Sequence, residues 1–215
     1  MTVGIIGSGE VGQTLAKAFL AEGHSVMLAA RDPNKSELAK WKKDNPKGQT
    51  GSFRDAAKFG DWLVLCVAGA GAEEALGLAG KENLTGKIIM DTTNPIDKAP
   101  PVNGVISFFT TLEDSLMERL QRIAPEANFV KAWNSVGSDF MYKPKFPGGT
   151  PTMFICGNDA GAKQKVTDIL TAFGWETEDM GAAEAARAIE PLCILWCIPG
   201  FIRNQWTHAF KLLKL

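Results

Sequence analysis

The segment that most constrains the fold is Gly7-Ser8-Gly9-Glu10-Val11-Gly12, which joins two stretches of different periodicity. Ahead of it, Thr2-Val3-Gly4-Ile5-Ile6 is short, apolar and rich in β-branched residues, which reads as a strand. Behind it, Gln13 to Glu22 reads as a helix. A GxGxxG pattern is a weak signal alone, because glycine is common in turns. At a strand-to-helix turn it has the setting of a dinucleotide phosphate site. Gly7 then permits the tight turn, Gly9 keeps a side chain out of the way of a pyrophosphate, and Gly12 lets the helix pack on the strand. The free N–H groups of the helix's first turn face the phosphates.

The rest of the chain fits one α/β domain of the Rossmann type, a doubly wound and mostly parallel sheet. Residues 1–180 form the nucleotide-binding unit and residues 181–215 a small C-terminal helical extension. Strand-like runs are Ser25–Ala30, Gln49–Gly51, Asp61–Ala68, Lys87–Thr93, Asn128–Asn134, Thr152–Cys156 and an edge strand Trp175–Met180. Helix-like runs alternate with them: 37–43, 53–59, 72–78, one opening at Thr110 or Thr111 and carrying Leu112, Leu116, Leu120 and Ile123, and 159–173. Ala182–Leu215 reads as helical with a break at Pro199-Gly200. Residues 139–151, rich in Pro and Gly, have the composition of a lid or of a plain connection.

A net charge of −1 gives no footing for nucleic acid or an anionic membrane surface. The apolar run Pro191–Ile202 is too short to cross a bilayer as a helix. It suits a core helix, a homodimer interface or a wall for a flat ligand. No basic segment precedes Thr2, so no cleavable signal peptide is expected. Cys66, Cys156, Cys193 and Cys197 lie in apolar runs, and His24 and His208 are not spaced to complete a metal site. Reduced thiols and a cytoplasmic location follow.

The end of the second strand selects the nucleotide. A chain that binds NAD places an acid there, on the ribose hydroxyls. Here the position is Ala30, followed by Arg31, with Lys35 one turn further on. Two cations and no acid suit the 2′-phosphate of NADP. Asp32, before Pro33, reads as a turn residue.

Taken together, the Gly7–Gly12 turn with Ala30-Arg31, Thr93-Asn94-Pro95, Val130-Lys131-Ala132-Trp133-Asn134-Ser135, Phe154-Ile155-Cys156-Gly157-Asn158-Asp159 and Arg187-Ala188-Ile189-Glu190-Pro191-Leu192 resemble the NADP oxidoreductases that use the deazaflavin coenzyme F420. The chain is also similar to the soluble NADPH-oxidising domain of the six-transmembrane ferric reductases. The resemblance covers most of the chain. It implies hydride transfer between NADPH and a flavin-like ring, F420 or a flavin, with no protein nucleophile. It also implies roles by position: Ser8, Glu10 and Val11 along the pyrophosphate and ribose, Arg31 and Lys35 on the 2′-phosphate, and Val67 and Ala68 beside the adenosine. Asn94 and Pro95 would lie near the nicotinamide, with Asn134 and Ser135 facing the acceptor. Trp133-Asn134 departs from the archaeal enzymes, which carry a histidine at the Asn134 position, and this leaves the acceptor open.

Two other functions fit the same nucleotide site. One is an NADP-dependent reductase of a small keto or imine substrate, with a general acid from Asp91, Asp139 or Tyr142; Lys211 and Lys214 read as solvated charges. The other is a sensor that binds NADP(H) without turnover.

Overall fold

The computed structural model describes residues 1–215. Six parallel strands form the central sheet: β1 (Thr2–Ile6), β2 (Ser25–Ala30), β3 (Gln49–Ser52), β4 (Trp62–Leu65), β5 (Ile88–Asp91) and β6 (Asn128–Lys131), in the order β3-β2-β1-β4-β5-β6. This is the doubly wound Rossmann order. Its crevice opens outside the carboxyl ends of β1 and β4, where the winding reverses.

Strand alternation assigns residues to the two faces. Val3, Ile5, Val64, Ile88 and Met90 pack on one side, against helices α1 (Glu10–Ala21), α2 (Ser36–Asp44) and α6 (Ala160–Ala172). Ile6, Leu63, Leu65 and Ile89 pack on the other, against α3 (Phe53–Phe59), α4 (Ala72–Ala79) and α5 (Leu116–Ile123). Burial on both faces explains why these strands read as continuous apolar runs.

Several boundaries differ from the sequence reading. Helix α1 starts at Glu10, three residues early, so Gly12 lies inside its first turn. Helix α5 starts at Leu116 and leaves Leu112 outside, 74% exposed. The cause is a capping box: Ser115 Oγ accepts from the Glu118 N–H, and Glu118 accepts from the Ser115 N–H. Strand β6 ends at Lys131, because Trp133 adopts φ 57° and turns the chain out of the sheet. Strands β7 (Thr152–Ile155) and β8 (Glu176–Asp179) pair with each other in a separate two-stranded parallel sheet, joined to β6 by one antiparallel bridge, Lys131–Cys156.

The C-terminal segment departs most. A four-residue helix α7 (Ala186–Ile189) leads into α8 (Leu192–Arg203), which runs through Pro199 without a break. Only one turn follows the proline. Asn204 closes it in the left-handed region with φ 52°, and its N–H donates to the Gly200 carbonyl. Trp206 folds back onto Gly200, where a Cβ would lie 2.2 Å from the indole. Residues 204–215 are not helical; the tail docks beside β7, the Thr152 N–H donating to the Phe210 carbonyl at 2.9 Å. The helical stretch Ala183–Arg203 is 21 residues long and contains an 18-residue window of mean hydropathy 1.5, so by length and composition it could cross a membrane, unlike the twelve-residue run read from the sequence. Here it lies against the domain with Ala186, Ile189, Cys193 and Trp196 buried.

Residues 139–151 are anchored away from the crevice. Tyr142 Oη donates to Glu22 at 2.7 Å and Lys143 pairs with the same carboxylate. Glu22 stands at the far end of α1 from Gly9, so the anchored half of this segment does not close over the Gly7–Gly9 turn.

Candidate functional site

The glycine turn leaves β1 and enters α1 with each glycine constrained differently. Gly7 has φ 126°, and a Cβ there would lie 2.4 Å from the Cys66 carbonyl of β4's exit. A Cβ on Gly12 would lie 1.9 Å from the Gly7 carbonyl, so this glycine holds the helix against the turn. A Cβ on Gly9 would meet no protein atom within 4 Å. Packing therefore explains Gly7 and Gly12 and does not explain Gly9. Gln13 Nε2 donates to the Ser8 carbonyl at 2.9 Å and fixes the loop. Gly9 caps α1 with no side-chain bond, so the helix's first N–H groups point outward unpaired. That is a ready anion site.

These atoms form the floor of a cleft of about 470 Å³. Gly7, Ser8 and Gly9 line its base, Ala30, Arg31, Asp32 and Lys35 one wall, and Cys66, Val67, Ala68 and Gly71 the other. The sequence reading brings Arg31, Lys35, Val67 and Ala68 here, and the fold places all four. Glu10 is exposed at the start of α1, Val11 is half-buried, and neither lines the cleft. Asp32 does line it, but its Oδ1 accepts from the Asn34 N–H at 2.9 Å, the bond of a turn residue. Phe53, Cys66 and Gly71 were not anticipated. Nor was Glu74, whose Oε2 lies 2.9 Å from Arg31 Nη2. Burial pushes the Cys66 thiol up to about 12, so it is inert at neutral pH.

A second cluster sits at the ends of β5 and β6. Asn94 Nδ2 donates to the Asn134 carbonyl at 2.7 Å. Asn134 Nδ2 donates to Asn94 Oδ1 at 3.2 Å and to the Ile189 carbonyl at 2.9 Å. Pro95, Asn134 and Ser135 are buried, so the Asn134 amide is turned inward instead of presented openly to a ligand. Asn134 Oδ1 is buried with no partner, an acceptor with a vacant role.

Beneath this cluster lies an interior ion triad that sequence reasoning missed. Lys131 Nζ stands 2.7 Å from Asp91 Oδ2 and 3.0 Å from Glu190 Oε1, all three side chains no more than 2% exposed. The Asp91 contact is one of charge, outside hydrogen-bond alignment. Lys131 also donates to the Thr93 carbonyl at 2.8 Å. Glu190 accepts from the Leu116 and Met117 N–H groups at 3.0 Å each, at the N-terminus of α5. Burial alone would lower the Lys131 pKa; the two carboxylates outweigh it and hold the ammonium up to about 12. Asp91 is thus committed to the interior, and Tyr142 to Glu22. Lys211 and Lys214 pair with Glu176 and Glu178. The cysteines are all unpaired, Cys66, Cys156 and Cys193 buried and Cys197 half-buried.

The model of the family "NADP oxidoreductase coenzyme F420-dependent" matches residues 2–95. The crystal structure of a protein described as an F420-dependent NADP reductase, from Arthrobacter sp. FB24, superposes with a TM-score of 0.92 at 32% identity, covering 99% of both chains. An F420-dependent NADP reductase of Methanothermobacter thermautotrophicus is 25% identical over 99% of this chain and 96% of its own. Metalloreductase STEAP3 of Rattus norvegicus is 28% identical over 92% of this chain, which spans only 38% of that protein's length.

Proposed function

The chain belongs to the coenzyme F420-dependent NADP oxidoreductase family, and from that premise we propose that it carries hydride between NADPH and a flat tricyclic acceptor, F420 or a flavin. The observation that carries the coenzyme half is the wall of the cleft. Arg31 and Lys35 face the Gly7–Gly9 floor, and the strand-end position that would bear an acid for NAD is Ala30. The open space at Gly9 and the uncapped start of α1 suit a pyrophosphate. Val67 and Ala68 then border the adenosine.

NADPH supplies the hydride, and the chain's own work is to bind, orient and exclude water. The N–H groups at the start of α1 take the pyrophosphate. Arg31 and Lys35 neutralise the 2′-phosphate. Asn94 and Pro95 border the nicotinamide end, where the Asn94–Asn134 amide pair ties β5 to β6. Direct passage of a hydride between two rings needs no protein nucleophile. In this reading residues 1–180 are the nucleotide unit and 181–215 an extension, in a cytoplasmic protein whose four thiols stay reduced. The outward face of α8, with Leu195, Phe201 and Ile202 exposed, is its homodimer surface.

Two measurements test this. NADPH should bleach the visible band of the deazaflavin in the presence of the protein, or reduce FMN. Stoichiometric NADPH binding without oxidation by either acceptor refutes the reading and favours a sensor; turnover only with keto or imine compounds favours a small-substrate reductase. Arg31→Ala should weaken NADPH binding by about 1.5–3 kcal/mol, the scale of a charged hydrogen bond, and barely affect NADH. Equal losses for both would refute the phosphate assignment.

A further inference from the structure

The Arg31–Glu74 pair has a consequence for how the coenzyme leaves. Arg31 follows β2 on one wall of the cleft, and Glu74 stands in the first turn of α4, beyond the other wall. Their ion pair at 2.9 Å spans the mouth between them. The guanidinium passes close to Gly71, where a Cβ would come within 3.9 Å of Nη2. Thus the arginine assigned to the 2′-phosphate is engaged by a carboxylate before any ligand arrives.

We infer that Glu74 is a competing partner for Arg31 that selectively lowers affinity for 2′-phosphorylated nucleotides and speeds their release; this rests on the NADP reading above. A single carboxylate oxygen holds Arg31 through one nitrogen. A phosphate dianion offers twice the charge and a bidentate fit, so it wins the exchange. The exchange has a cost, because Glu74 must be left without its partner. A nucleotide with a free 2′-hydroxyl gives Arg31 no reason to move and incurs no such cost. The other nearby acid, Asp32, is already held by the Asn34 N–H, and Lys35 is exposed on the same wall. The penalty is small, because Arg31 and Glu74 are 63% and 56% exposed and the pair is screened. A small penalty is enough to matter for a coenzyme that must leave after each turnover.

The test compares adenosine 2′,5′-bisphosphate with adenosine 5′-monophosphate, which differ only in the 2′-phosphate, by calorimetry on wild type, Glu74→Gln, Arg31→Ala and the double variant. Glu74 is exposed and the glutamine is isosteric, so the fold is retained. Glu74→Gln should tighten the bisphosphate about two- to fivefold, leave the monophosphate unchanged and slow bisphosphate dissociation. In the Arg31→Ala background the same change should have no effect. The competition is overturned if wild type prefers the bisphosphate but Glu74→Gln leaves it unchanged, or weakens it as loss of a positioning partner would. It is also overturned if Glu74→Gln tightens the bisphosphate equally without Arg31, because Glu74 would then act by direct repulsion. Equal binding of both ligands by wild type would instead overturn the NADP reading underneath.

Discussion

Replacing Lys131 with methionine removes the only cation from the Asp91–Lys131–Glu190 cluster while nearly preserving volume. Two carboxylates would be left facing each other across the space the ammonium occupies, at 2.7 and 3.0 Å from it, with no solvent access. Breaking a buried pair in this way costs about 3–5 kcal/mol, because the remaining charge is uncompensated. Glu190 keeps partial relief from the Leu116 and Met117 N–H groups, and Asp91 Oδ1 keeps the Thr93 N–H and hydroxyl. The lower half of that range is therefore expected, about 3–4 kcal/mol. In a chain of this size that is a fall in Tm of about 6–16 °C.

The deficit should depend on pH, with a sign fixed by linkage. The Lys131 pKa is raised in the fold, and a raised group contributes fully below its unfolded value and loses that contribution as pH rises through the folded one. The Lys131 contribution is thus complete below 10.5 and lost as pH rises through about 12, so the deficit of Lys131→Met should be full at neutral pH and shrink across that alkaline range. Urea unfolding followed by tryptophan fluorescence at several pH values reads both effects. The triple variant Asp91→Asn, Lys131→Met, Glu190→Gln controls for packing and should recover part of the loss. A Lys131→Met protein within about 1 kcal/mol of wild type, with no pH trend, would refute the reasoning.

Three further substitutions and one labelling measurement bear on the site and its frame. Gly9→Ala should fold normally, since its methyl meets no protein atom, yet lose NADPH affinity about tenfold or more; Gly12→Ala should destabilise the fold, its methyl lying 1.9 Å from the Gly7 carbonyl, as thermal melts and fluorescence titration would show. Arg187, bound to Glu118 through Nε and Nη2, holds that carboxyl down at about 2. A depressed acid stabilises above its unfolded value and loses this as pH falls through the folded one, so Glu118→Gln should cost about 1–2 kcal/mol at pH 7, discounted for the part-exposed Arg187, and the gap to wild type should close as pH falls from 4.5 towards 2. Of the four thiols, Cys66 and Cys156 are pushed up to about 12 by burial, and Cys193 is pushed up by the neighbouring Cys197 thiol, whose own pKa is lowered in turn; a disulfide-exchange reagent at neutral pH should therefore label Cys197 first, and fast labelling of Cys66 would contradict the burial argument.

The first half of the chain was legible because its instructions are local. A β-branched run, three glycines and an amphipathic stretch specify β1, the turn and α1 within about twenty residues, and the period of the apolar residues repeats the message strand by strand. The second half hides its structure in side-chain chemistry that periodicity does not register. Leu112 fits the helical spacing of Leu116 and Leu120, yet the Ser115–Glu118 capping box decides where α5 begins. That box is a readable pattern that spacing of apolar residues overrode. Pro199 looks like a break, yet α8 runs through it to Arg203, with Trp206 covering Gly200. Trp133 reads as a strand residue, and nothing local to it signals φ 57°.

The same division runs through the functional site. The coenzyme cleft is built from the loops that leave β1, β2 and β4, so each of its walls is a short stretch of sequence with its own turn chemistry. The acceptor side has no such stretch. Asn134 reaches the Ile189 carbonyl, Lys131 reaches Glu190, and Glu190 reaches the start of α5, so three remote segments must be in place before the geometry around Asn94 exists. A glycine turn can specify a pyrophosphate site because the backbone itself makes the contacts. The proposed acceptor face depends on how the C-terminal segment seats against β5 and β6, through the Asn134–Ile189 and Lys131–Glu190 contacts. In the proposed reading, coenzyme choice is written in Ala30, Arg31 and Lys35, whereas the surroundings of Asn94 are distributed over contacts that only the folded chain assembles.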